Sequence, residues 1–330
     1  MNHDGDACEV RVGSWRAMGC SVEVLIVGGS SDLLDLASTS INHLERRWSR
    51  FLPESDISHL NHAAGSTVHI DLATVVLLQA MRDGWRATAG AFDPTLLAPL
   101  VGLGYSASWH DPATVTSLPH GATMRGDLDQ LDIDAQHCTA RSPLGMCLDP
   151  GGIGKGLAAD IVVGRLMEAG ALGASVSIGG DVAVRGAAPQ PGGWLVGVSD
   201  PVSLDIEMGQ LRMLQGGVAT SGTLRRCWHS GTGEAVHHLL DPATGQPARH
   251  ARQIVAVTVV AGTAAWAEVW TKAVMVRGAS MLDVLDQHGL AAQLMYADRS
   301  RHDNRSWAAF AVSGQERGDL AGDEIEMIEV

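Results

Sequence analysis

The stretch that most restricts the fold of this chain is Leu148-Asp149-Pro150-Gly151-Gly152-Ile153-Gly154-Lys155-Gly156-Leu157, which runs straight into an apolar-periodic segment, Ala158 to Ala169. So many glycines cannot lie inside ordinary helix or strand without cost, so the chain must turn here and then enter a helix. A helix start supplies unpaired N–H groups and the positive end of a dipole. Glycine lets the backbone come close to a ligand, and Lys155 adds a full charge. The segment therefore reads either as a Gly-rich turn with a surface lysine or as a seat for anionic oxygens. Two common phosphate motifs are excluded: a Walker A loop needs Ser or Thr where Gly156 stands, and the last glycine of the dinucleotide fingerprint falls on Leu157.

A net charge of -14 removes the basic field that nucleic acid or an anionic membrane would require, so any phosphate must be held by local donors. With 330 residues, 45% hydrophobic and 18% charged, the chain can bury a large core as one big domain or two modest lobes. Met1 to Asp6 carries neither a basic nor an apolar signal region, and no apolar run reaches the length of a membrane span, so a cytoplasmic protein is expected. The cysteines (Cys8, Cys20, Cys138, Cys147, Cys227) are odd in number and form no C-x-x-C pair, which argues against a disulfide framework or a zinc site.

Periodicity predicts a strand over Ser21–Val27 and a helix over Asp32–Phe51, then a turn at Pro53 into a short helix capped by Ser55 or Asp56. Further helices are expected over Leu72–Thr88, Thr263–Val276 and Ser280–His288, with Glu268 and Lys272 in the favourable i, i+4 order. Strands are expected at Ala174–Ile178, Asp181–Val184, Trp194–Val198, Glu207–Leu214, Gly217–Thr220, Ile254–Ala261, Gln293–Ala297 and Trp307–Val312, with a hairpin at Leu131–Arg141. Pro99–Leu128 reads as loop, and the acidic end from Ser313 as a flexible tail. Hairpin-like strands interrupted by helices argue for an α+β fold. Asp93 before Pro94, Gly179-Gly180-Asp181, Thr220-Ser221 and His238 ahead of Asp241 each read first as turn or structural residues. They read second as ligand-facing groups, a histidine being the usual proton carrier near neutral pH.

Taken in order, Met18-Gly19-Cys20, Ser55 to Asn61, Gly90 to Thr95, Asp149 to Gly156, Ile178 to Asp181, Ala219 to Gly222 and His238 to Pro247 resemble the ApbE family of FAD:protein FMN transferases. The likeness runs from about Arg16 to Val312. It implies a two-lobed α+β fold of T-fold-like kind, mainly antiparallel, with FAD between the lobes, spanning 16–312. Residues 1–15 would then be a disordered or extended lead and 313–330 an acidic tail. It also implies an activity: passing the FMN half of FAD to a Ser or Thr hydroxyl of an acceptor protein, with release of AMP. Gly151, Gly152 and Lys155 would hold the pyrophosphate. Met18 and the segment with Phe51, Ser55 and Asp56 would line the flavin or adenine, and Asp93, Gly180, Asp181, Thr220 and Ser221 would bind further FAD groups. His238 would activate the acceptor hydroxyl or bind the pyrophosphate, and Asp241 would orient its loop, making His238, Lys155 and Asp241 the catalytic candidates.

The family's Mg²⁺ is bound by a backbone carbonyl, here at Gly154, and by an Asp and a Thr four residues apart on the late helix. Those places hold Glu268 and Lys272. A glutamate can ligate, but an ammonium has no lone pair. Thr271 points about 100° around the helix from Lys272. Lys272 is therefore expected to sit where the metal would, beside the pyrophosphate. Cys20 and Phe51 stand where the family has Thr and Tyr, which removes two hydroxyls. Two other activities stay open on these residues: hydrolysis of FAD to FMN and AMP, and flavin binding without chemistry.

Overall fold

A computed structural model describes residues 9–108, 111–123, 125–203, 206–250, 253–312 and 328–329. The organising element is an eight-stranded, wholly antiparallel sheet. In chain order its strands are β1 (Val10–Ala17), β2 (Cys20–Val27), β3 (Gly173–Ile178), β4 (Asp181–Gly186), β7 (Gly216–Gly222), β8 (Ile254–Ala261), β9 (Ala291–Tyr296) and β10 (Arg301–Asp303), and they lie side by side in that order. Between β4 and β7 the chain forms a separate hairpin, β5 (Trp194–Ser199) with β6 (Glu207–Met213).

Side-chain alternation sorts the layers. Val22, Val24 and Ile26 of β2 and Val176 and Ile178 of β3 enter the core beneath the helices, whereas Leu25, Val27, Val182, Val184, Val218 and Val260 pack with Trp194, Val196 and Leu211 of the small hairpin. A strand covered on both faces is apolar nearly throughout, which accounts for the Ile254–Ala261 run, broken only by Thr258, whose hydroxyl pairs with that of Thr220. The helical layer comprises α1 (Leu33–Trp48), α2 (Asp56–His62), α3 (Leu72–Ala87), α4 (Leu97–Gly102), α5 (Gly154–Glu168), α6 (Ala264–Arg277) and α7 (Met281–Gln287). It divides into a core under α1, α3 and α5 and a second core under α6 and α7. This is the α+β, mainly antiparallel architecture expected from the sequence.

Three expectations are corrected. The sequence predicts loop over Pro99–Leu128, but the start of that stretch belongs to α4, which buries Leu97 and Leu100. Pro99 lies within the first turn, where a missing N–H costs nothing. Trp307–Val312 is not a strand: Arg305–Ala309 form a 3-10 turn that buries Trp307, and only Ala311 bridges to Leu211. Val10–Trp15, assigned to a lead outside the domain, is sheet-edge strand paired with β2. Most of the acidic end, 313–327 and Val330, lies outside the described residues, but Ile328–Glu329 pair in parallel with Val196 and Gly197 of β5.

Candidate active site

One cleft, about 480 Å³ in volume, gathers residues from across the chain: Met18, Cys20, Trp48, Arg50, Phe51, Phe92, Asp93, Tyr105, Gly151, Gly152, Gly154, Lys155, Arg226, His238 and Lys272 all line it. That volume suits a cofactor-sized organic ligand. The rim begins with two tight hairpins at one end of the sheet. The turn joining β1 to β2 puts Met18 and Gly19 at φ 51° and 69°, and the turn joining β3 to β4 puts Gly179 and Gly180 at 63° and 90°. Positive φ at both central residues matches the twist of paired strands, and glycine adopts it freely. Met18 does so at a steric cost that brings its side chain into the cleft wall.

The second hairpin sets Asp181 against the Lys155 ammonium in a buried ion pair. Lys155 also lies 3.1 Å from Glu268 Oε1, as does the Lys272 ammonium. Glu268 Oε2 accepts the Gly156 N–H at 2.9 Å. Glu268 is 0% exposed. Burial alone would raise its pKa, but the two ammoniums and the Gly156 N–H outweigh that and hold the carboxyl below its ordinary value. The Lys155 and Lys272 amines are pulled down by burial, an effect that Glu268 opposes. The approach of α5 to α6 needs Gly156, because a Cβ there would lie 2.5 Å from the Ala264 carbonyl oxygen. Asp160, one turn on, caps α6 by accepting the N–H groups of Ala264 and Ala265, both at 2.9 Å.

The glycine loop is shaped by its own carboxylate. Asp149 Oδ1 accepts the Gly151 N–H at 2.9 Å, and Arg50 Nε stands 3.4 Å from Asp149 Oδ2. Arg50 also lies over Phe51, 4.1 Å from the ring centroid, and over Tyr105 at 4.9 Å, and it donates to Thr116 Oγ1. The result is a flat, cationic, aromatic wall of the kind on which ring systems stack. Trp48, whose buried Nε1 has no hydrogen-bond partner among the described residues, extends that wall. Asp93 sits in it with its Oδ1 held by the Thr95 N–H and hydroxyl, and burial raises its pKa. Across the cleft, His238 Nδ1 faces the Arg226 carbonyl at 3.4 Å. Burial first, then the Arg226 charge, drives the imidazole pKa well below the ordinary value, so the ring is neutral. A neutral ring donating from Nδ1 keeps Nε2 as an acceptor.

Several residues expected at the site lie outside the cleft. Ser55 caps α2, and buried Asp56 accepts from Asp71 N and Thr74 Oγ1, so both serve the fold beneath the wall. The Thr220 hydroxyl pairs with Thr258, and that of Ser221 with Thr271, and none of the four lines the cleft. Gly180 and Asp181 act through the hairpin and Lys155. Asp241 accepts the Ala243 N–H within its own turn and faces a separate depression with Arg249, His250 and Arg277. Conversely, Arg50, Tyr105 and Arg226 line the cleft although no sequence motif marks them; only the adjacency of Arg50 to Phe51 and the Arg225-Arg226 pair offered a signal.

The metal ligands implied by resemblance do not fit a divalent cation. Both Glu268 oxygens are engaged, Lys272 occupies the neighbouring position, and Thr271 gives its hydroxyl proton to the Glu268 carbonyl at 2.7 Å. Among the described residues no cluster of three or more His, Cys, Asp or Glu side chains is arranged to hold a metal.

The chain is similar to known proteins in sequence and in fold. The chain is 28% identical over 290 residues to the FAD:protein FMN transferase of Salmonella typhimurium, an alignment covering 84% of this chain and 81% of that one. It is 31% identical to the corresponding protein of Treponema pallidum over 264 residues, covering 74% and 69%. Among solved structures, the apbe protein of Thermotoga maritima superimposes with a TM-score of 0.78 at 23% identity, covering 92% of this chain and all of that one. The apo flavinyl transferase ApbE of Pseudomonas stutzeri does so with a TM-score of 0.75 at 25% identity, covering 93% and 98%. The family model matches residues 18–294, a span that includes Met18, Arg50, Lys155, His238 and Lys272 of the cleft, and the chain belongs to the ApbE family.

Proposed function

We propose that this chain is an FAD:protein FMN transferase whose acceptor is a Ser or Thr hydroxyl of a partner protein. The observation that carries the reading is the meeting of two buried ammoniums, a neutral histidine and an aromatic cationic wall in one cleft. In phosphoryl transfer the protein mainly aligns nucleophile and leaving group and stabilises oxygen charge. The acceptor hydroxyl oxygen bonds to the phosphorus that carries riboflavin. The bond from that phosphorus to the bridging oxygen breaks, and AMP departs with that oxygen and the electron pair. The hydroxyl proton passes to His238 Nε2. Lys155 and Lys272 face the pyrophosphate oxygens, while the Arg50, Phe51 and Tyr105 wall stacks a ring of the dinucleotide.

Incubation with FAD and an acceptor domain tests this. In-gel flavin fluorescence on the acceptor with stoichiometric AMP is the expected result. AMP without acceptor labelling would instead make the chain a hydrolase, and bound flavin without AMP a binding protein.

A further inference from the structure

The cluster at the base of the cleft sets two ammoniums against two buried carboxylates, Lys155 against Asp181 and Glu268, and Lys272 against Glu268. Glu268 sits 0% exposed, its Oε1 shared by the Lys155 and Lys272 ammoniums and its Oε2 held by the Gly156 N–H. A magnesium ion demands unencumbered oxygen lone pairs in near-octahedral array at about 2.0–2.1 Å. Here three of the carboxylate's roughly four lone-pair positions are taken by N–H groups, and a cation brought to it would meet two ammoniums at close range. The adjacent hydroxyl is no substitute: Thr271 is 0% exposed, bonded to Ser221 Oγ at 2.6 Å and to the Glu268 carbonyl. Lys272 itself lines the cleft, and its Cε lies 3.8 Å from where a Gly152 Cβ would stand, so its head reaches the glycine loop. An ammonium has three donors, and the one turned to Glu268 fixes its position without using the others.

Resting on the transferase reading, we propose that Lys272, tethered by Glu268, stands in place of a divalent cation in this chain. Lys155 and Lys272 together donate their remaining N–H groups to the pyrophosphate oxygens, and both FAD binding and FMN transfer proceed without metal. The tether matters because a charge fixed on a rigid helix stays aimed as negative charge shifts onto the leaving oxygen. Lys272 binds substrate in this reading, so changing it moves ligand affinity and metal dependence as well as stability.

The test measures FAD affinity by flavin fluorescence quenching, and AMP release with acceptor, for the full-length chain in millimolar EDTA and in millimolar Mg²⁺. Mn²⁺ titration followed by electron paramagnetic resonance is run alongside. The wild type is expected to differ by less than about threefold between the two buffers and to show no stoichiometric Mn²⁺ site. Lys272→Thr should lose at least about tenfold in FAD affinity in EDTA, and Lys272→Arg should keep metal-independent binding. A tenfold or greater loss for the wild type on chelation, restored by Mg²⁺, overturns the proposal and leaves the transferase reading standing. Unchanged affinity of Lys272→Thr in EDTA also overturns it, by making the lysine a structural partner only. Absence of FAD binding in both buffers overturns both readings together. The wild-type and Lys272→Arg arms do not depend on how well Lys272→Thr folds.

Discussion

Replacing Glu268 by Gln removes one charge and almost no volume, which makes it the sharpest probe of the buried cluster. Each ammonium stands 3.1 Å from Oε1. At an effective dielectric of about 20, such a pair is worth about 5 kcal/mol before desolvation is counted. The Lys155 and Lys272 side chains are 16% and 15% exposed, so solvent can replace only part of what the carboxylate supplied. Deleting one partner of a buried pair typically costs about 3–5 kcal/mol, because the charges left behind are uncompensated. Glu268→Gln should therefore lose about 3–5 kcal/mol of unfolding free energy in urea, followed by tryptophan fluorescence. Adding Lys272→Met to that variant should return about 1–3 kcal/mol, since the stranded ammonium is then gone while Lys155 keeps Asp181. A loss below about 1 kcal/mol, the level of an exposed ion pair, would refute the account of this cluster as a tightly coupled buried centre.

Gly156→Ala drives a methyl to within 2.5 Å of the Ala264 carbonyl, so α5 and α6 must part. A loss of about 1–3 kcal/mol in thermal or urea unfolding, with weakened FAD binding, is expected, and full stability in the variant would contradict the close approach. Burial raises the Asp160 pKa from 3.8 to about 6, against the lowering effect of its two backbone partners. The folded chain therefore binds this proton more tightly than the unfolded chain, and the associated stability is present below about pH 4 and lost as pH rises through about 6. The shift corresponds to about 3 kcal/mol. Asp160→Asn gives up one cap bond at every pH, because its NH2 cannot accept, so the test is the pH dependence: the stability difference should move by up to that much in the variant's favour between about pH 4 and pH 8, and a flat difference curve would rule it out. Because His238 is already neutral, the pH profile of transfer should show no acid limb at the ordinary histidine value of about 6.5. An acid limb centred there, abolished by His238→Asn, would mean the imidazole is as basic as in water.

Local pattern carried much of this protein into view. Alternation marks β2, the period of 3.6 marks α1 and α3, and a β-branched run marks β8. The glycine stretch forces a turn into α5, and the i, i+4 spacing of Glu268 and Lys272 makes their ion pair readable from neighbours on one helix. Pattern failed where burial came from distant chain. Leu97 and Leu100 were hidden among prolines and glycines, and the β-strand composition of Trp307–Val312 gave way to a 3-10 turn that buries Trp307. The site shows the same division. Residue types and their order identified Lys155, His238, Asp93 and Met18 as candidates, because such chemistry requires charge, a proton carrier and permissive turns. Tertiary structure alone decided that Lys155 and Glu268, 113 positions apart, form an ion pair, that Asp160 caps α6, that Arg50 stacks on Phe51 and Tyr105, and that the Thr220 and Ser221 hydroxyls pair with Thr258 and Thr271. The reason is physical: a helix or strand is set by contacts within a few residues, whereas a cleft and its charge balance are set by which buried faces meet. That depends on the packing of the whole sheet.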